Sequence, residues 1–165
     1  QLTTDINIFI SHCHTNDEDQ KFFNDILMFI NPAINSMDNV KLWSDKQLLT
    51  GQNIDIEVEN ALNDMNLMIC LVSPEYLNSN YCIEKELKDA LAKRKIGKAN
   101  IFPVILRKCV WKHTFFGQIL CQPKDGKPLK EWTDKDEVLS DVTDALMDVI
   151  QYLKKQQISE KKTNA

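Results

Sequence analysis

At 165 residues, with a net charge of −4 and a pI near 5.4, the chain is the size of one acidic domain that can bury its own core. That balance lacks the basic surface that nonspecific nucleic-acid binding favours, so no direct nucleic-acid partner is expected. No apolar run approaches the ~18 residues of a membrane span, and no signal-peptide pattern opens the chain. Cys13, Cys70, Cys82, Cys109 and Cys121 are odd in number and widely spaced, with no Cys-x-x-Cys, which argues against a disulfide framework or a zinc ribbon. Free thiols of this kind suit a reducing compartment and predict a cytoplasmic protein.

In chain order, residues 5 to 11 turn from alternation to an apolar run, the pattern of an inner strand. Thr15 or Asn16 can cap the following helix, whose stripe is Phe22, Phe23, Ile26, Leu27 and Ile30, and Asn31-Pro32 is expected to end it. A short strand from Asn39 to Trp43 leads into the polar loop Ser44 to Gly51. The next helix carries Ile54, Val58, Ala61, Leu62 and Met65 on one face. Leu67 to Val72 is apolar throughout and reads as a strand buried on both faces. After it, Ser73 to Leu87 opens a helix expected to reach about Arg94.

Asn100 to Arg107 reads as a fourth strand, in which Pro103 either starts the ladder or occupies a place where no donor is needed. Residues 108 to 132 carry little periodicity but hold Trp111, Phe115, Phe116 and Trp132, so an ordered excursion is expected. Thr133 or Asp134 caps a final helix with Val138, Leu139, Val142, Leu146, Ile150 and Leu153 on its stripe. The polar tail from Lys154 to Ala165 reads as a linker or a disordered end. Strands alternating with helices predict an α/β fold: a mainly parallel sheet with helices on both faces.

Ligands of such sheets bind outside the carboxyl ends of the strands, which draws attention to Ser73 through Glu86. A helical step of roughly 100° per residue puts Glu84 and Glu86 near opposite edges of the apolar stripe, and periodicity does not choose between them. His12 and His14, with no nearby carboxylate or Cys trio, make a poor metal-ligand set, and no metal is expected. Glycine-rich phosphate loops are absent from the sequence. A phospho-receiver would need acidic residues where Ser11-His12 and Ser73-Pro74 stand.

Taken together, Ile8-Phe9-Ile10-Ser11-His12, Leu42-Trp43-Ser44-Asp45 with Gly51, Leu71 to Leu77, Ser79-x-Tyr81-Cys82 with Glu86-Leu87, Phe102-Pro103-Val104-Ile105-Leu106 and Asp125-Gly126-Lys127-Pro128-Leu129 resemble a TIR (Toll/interleukin-1 receptor) domain of the prokaryotic type. The resemblance implies a flavodoxin-like three-layer fold with a central sheet of four to five strands over residues 1 to 153. Residues 154 to 165 would be a tail leading to a further, C-terminal sensor domain, and Gln1 in place of Met fits a piece of a longer chain.

TIR domains are either enzymes that cleave NAD at the nicotinamide N-glycosidic bond or adaptors that act by assembly. For this chain the resemblance implies an NAD glycohydrolase, working as the self-assembling effector of a prokaryotic defence protein, with NAD as substrate and no cofactor. The alternative is a non-catalytic interaction module docking through Trp43 to Gly51. By the family's spacing from Tyr81-Cys82 to Glu-Leu, the catalytic carboxylate would be Glu86. Ser11, His12, Cys13, Asp45, Ser73, Tyr76 and Cys82 would line the substrate cleft, and Cys82 stands where many enzyme members carry Trp.

Overall fold

The computed structural model describes residues 5–45 and 48–164. Four strands, β1 (Ile6–Ser11), β2 (Val40–Trp43), β3 (Leu67–Val72) and β4 (Asn100–Ile105), form one parallel sheet in the order β2-β1-β3-β4. The helices are α1 (Asp17–Asn35), α2 (Ile54–Asp64), α3 (Pro74–Asn78), α4 (Lys88–Lys95) and α5 (Lys135–Thr163), with a π-helical segment, Tyr81–Leu87, running directly into α4. Strand side chains alternate between faces, so each central strand serves two cores. Ile6, Ile8 and Ile10 of β1 and Leu67, Ile69 and Leu71 of β3 pack with α1 and α5, whereas Phe9, Met68, Cys70 and Val72 pack with α2, the π-helical segment and α4. This is the three-layer α/β fold expected from the sequence, with a sheet of four strands.

Local chemistry accounts for most boundaries. Asn16 caps α1 by accepting from the Asp19 N–H at 3.0 Å, and Asp134 caps α5 by accepting from the Glu137 N–H at 3.1 Å. Pro103 lies inside β4, and its carbonyl accepts from the Gln122 N–H on the side away from β3. Its missing N–H therefore faces the same way, and the ladder to β3 loses nothing. Residues 111 to 131 form four short 3-10 turns around buried Phe116 and Leu129. Gly126 sits at φ +69 with a Cβ position 2.5 Å from the Trp111 ring, so a side chain there would collide.

Three expectations are corrected. Pro32 does not end α1, which continues to Asn35: burial of Ile34 beside Ile30 outweighs the hydrogen bond that proline removes. The polar stretch after Leu153 is helical through Thr163, as a continuation of α5, rather than a disordered end. Ile54 is 61% exposed, because α2 engages the core only from Val58 onward. Among the described residues no helix is long and apolar enough to cross a membrane.

Arg107, just past β4, fastens the carboxyl edge of the sheet. Its Nε donates to the buried Asp19 in the first turn of α1 at 2.7 Å, and its guanidinium also meets Glu75 in the first turn of α3. Leu67→Ala, at a fully buried position of a central strand, is expected to cost about 2–5 kcal/mol in urea unfolding. Met28→Ala, at a 71% exposed position of α1, should stay within about 0.5 kcal/mol of the parent. Equal unfolding midpoints for the two variants would contradict the assigned core.

Candidate active site

The carboxyl ends of β1, β2 and β3 deliver Ser11-His12, Trp43-Ser44-Asp45 and Ser73 to one edge of the sheet. Ser73 caps α3 by accepting from the Tyr76 N–H at 3.2 Å, which swings the chain across the strand ends. After α3 the chain breaks at Ser79, whose hydroxyl accepts from the Cys82 N–H and whose carbonyl accepts from the Ile83 N–H. The π-helical turns that follow hold more residues per turn than an α-helix, so each side chain is rotated by less than the roughly 100° assumed from sequence. Glu86 is buried on the inner side of this segment and Glu84 is exposed.

Glu86 is one wall of a cavity of about 200 Å³, whose other walls include His12, His14, Trp43, Asp45, Ile54 and Tyr81. Ser11 Oγ donates to Glu86 Oε1 at 2.7 Å. The Tyr76 hydroxyl lies 2.8 Å from the same Oγ and donates to it, since the serine proton is already directed at the carboxylate. A larger cavity of about 570 Å³ lies at the opposite, amino edge of the sheet. There Lys93 is engaged by the carbonyls of Leu62, Asn63 and Met65, and no buried acid or base points in.

Burial pushes the Glu86 carboxyl up to about 7 from its ordinary 4.5; the Ser11 hydrogen bond opposes the rise and the Asp45 charge adds to it. Asp45 is held below its usual range, first by the hydrogen bond from His12. His14 is lowered by burial and by His12, against a smaller pull from Asp45. Two carboxylates at one cavity are thus driven apart, one toward neutrality and one toward full charge. Burial raises the Cys82 thiol to about 12, which leaves no thiolate for nucleophilic attack.

Of the residues expected at the cleft, His12, Asp45 and Glu86 line the cavity together. Ser11 and Tyr76 stand behind Glu86 as its hydrogen-bonded support. Ser73 is the α3 cap, Cys82 Sγ packs 3.5 Å from the His12 carbonyl, and buried Cys13 contacts the Thr15 hydroxyl; none of the three is part of the cavity wall. His14, Trp43, Ile54 and Tyr81 are wall residues that sequence reasoning did not assign. The signal was available for His14 and Trp43, which flank predicted residues at strand ends.

An apolar parallel sheet with a buried carboxylate beside a cavity at its carboxyl edge defines an α/β domain with a candidate site at the strand ends. The family model for the TIR domain matches residues 8–147, and the chain belongs to that family. It is 33% identical over 107 residues to the uncharacterised protein y4lF of Sinorhizobium fredii, a match covering 65% of this chain and 33% of that protein. The matched part is thus about a third of that relative's length. Among solved structures it is similar to the TIR domain of the Toll-related receptor TRR-2 from Hydra magnipapillata, at 20% identity and a TM-score of 0.56, covering 88% of this chain and 98% of that one. It is also similar to the TIR domains of the activated Roq1 resistosome, at 19% identity and a TM-score of 0.49, over 96% of this chain and 99% of that one.

The raised Glu86 carboxyl has a consequence for stability. Between 4.5 and about 7 the folded chain holds a proton that the unfolded chain has lost, so this group's contribution declines as pH rises through that window. Glu86→Gln is therefore expected to unfold at higher denaturant than wild type at about pH 8, by at most about 3 kcal/mol, with the difference vanishing near about pH 4. Chemical denaturation of both proteins at the two pH values checks this, and a constant difference would contradict the burial of Glu86.

Proposed function

We propose that this TIR domain is an NAD glycohydrolase, releasing nicotinamide together with ADP-ribose or a cyclic isomer of it. The single observation that carries the reading is Glu86: a buried carboxylate, held by Ser11, which Tyr76 holds in turn, facing a cavity that Tyr81 and Trp43 also line. Nicotinamide leaves a cationic pyridinium nitrogen as a neutral molecule, so its departure needs no general acid, unlike ordinary glycoside hydrolysis with two carboxylates. What develops is positive charge on the ribosyl centre. One fixed carboxylate in a site shielded from water is suited to stabilise that charge.

The cavity's 200 Å³ is less than the ~300–1,000 Å³ of most small-molecule sites. It offers room for the nicotinamide end of a dinucleotide, and the remainder would lie across the rim or against a second copy of the chain. Leu49, Ile54 and Ile56 are all well exposed beside the loop after β2, which favours docking of copies through that edge. In this reading the domain is the assembled effector of a prokaryotic defence protein in the cytoplasm, switched on by a fused C-terminal sensor domain. The same exposed side chains favour a second reading, a non-catalytic adaptor working by assembly alone. An adaptor needs no ionisable group at Glu86.

Wild-type protein incubated with NAD should release nicotinamide at a rate rising faster than linearly with protein concentration. Glu86→Ala should lower the rate by about 10²-fold or more. Equal rates for the two proteins would discard the enzymatic reading and leave the adaptor. Because the carboxylate form is the active one, wild-type turnover should fall as pH drops below about 7. A rate flat across that range would count against Glu86 as the group that titrates.

A further inference from the structure

His12 and His14 follow β1 and Asp45 follows β2, so the fold joins in space what the chain keeps apart. One Asp45 oxygen lies 3.4 Å from His12 Nε2 and the other 3.0 Å from His14 Nε2. The donor atoms of all three side chains fall within 4.8 Å of one another. We propose that His12, His14 and Asp45 form a binding site for a divalent transition-metal ion of the zinc type.

The three side chains stand close enough to share one ion. N–H···O bonds cluster at about 2.9–3.0 Å, so the 3.4 Å His12 contact is long for one. Zinc bonds nitrogen and carboxylate oxygen at about 2.0–2.2 Å, which sets neighbouring tetrahedral donors roughly 3.3–3.5 Å apart. The separation of His12 Nε2 from Asp45 Oδ1 has that length, whereas His14 Nε2 meets the other oxygen, Oδ2, at 3.0 Å, a hydrogen-bond distance, so the His14 ring has to shift for all three to meet one ion. His14, with a side chain 56% exposed, is free to complete the adjustment. Two imidazoles and a carboxylate are also the nitrogen–oxygen donor mixture that suits zinc, and three protein donors leave one position for water.

The His12 ring is positioned before any ion arrives. His12 is buried and stacks on Phe23, centroids 3.8 Å apart and planes 10° off parallel, so Nε2 is the nitrogen presented to Asp45 while Nδ1 has no hydrogen-bond partner. The Gln20 side-chain amide, which also donates to the Cys13 carbonyl, donates to His14 Nδ1 at 3.2 Å, so the ring proton sits on Nε2 and has to leave for that nitrogen to bind an ion. The three donors share the cavity wall with Glu86. The site stands whether or not the cavity cleaves NAD.

Chelator-treated protein titrated with cobalt(II), then with zinc, tests the assignment. The expected result is one cobalt per chain with tetrahedral visible absorption, displaced by one equivalent of zinc, and no near-ultraviolet thiolate band. His14→Ala and Asp45→Asn should each weaken binding at least ~10-fold, with folding of the variants checked by thermal melting. In the wild type, zinc should shift the His12 and His14 ring resonances and leave those of His113 in place. A thiolate band, no saturable binding, or shifts that spare His12 and His14 would each overturn the proposal.

Discussion

The constraint on which this domain turns is the removal of one carboxylate from water at the end of a parallel sheet. Among the described residues Glu86 gains the Ser11 hydroxyl in exchange for its hydration, and burial raises its carboxyl toward neutrality. Everything around it serves to hold that unfavourable arrangement. The strands place Ser11 at the end of β1, Ser73 turns the chain back over the sheet, and the π-helical turns set Glu86 inward. The two packed cores on either side of β1 and β3 supply the stability against which this local cost is set.

The same edge is fastened by opposite charge a few residues away. Arg107 draws the first turns of α1 and α3 together through Asp19 and Glu75, so the segments that begin and end the cleft cannot drift independently. Its pairing satisfies the buried Asp19, in contrast to Glu86, which has no cation of its own at hydrogen-bond range among the described residues. One acid is paired with a cation, and the other faces the cavity without one.

Much of this fold was legible from sequence because its strands are written in apolar runs. Leu67 to Val72 reads as a buried strand and is one, and the spacing of Val138 through Leu153 marks the apolar stripe of α5. Pro32 was misread because a local backbone rule was applied without the tertiary burial of Ile34 that overrides it. The helical state of the residues after Leu153 is not legible because a helix extended by polar residues leaves no apolar stripe. At the site, the edge of the sheet and the stretch containing Glu86 could be located from pattern, while preference for Glu86 over Glu84 came from family resemblance. The π-helical turns have no pattern in the sequence, and the approach of Asp45 to two histidines some thirty residues away exists only in three dimensions.

The pairing of Gln122 with the outer side of β4 carries a consequence for how such domains coexist at high local concentration. An open sheet offers two rims, each an invitation for a foreign strand. Here one rim carries a proline and is already occupied at Pro103 and Ile105 by the backbone of Gln122. That rim is thereby a poor template for a strand from a neighbouring copy.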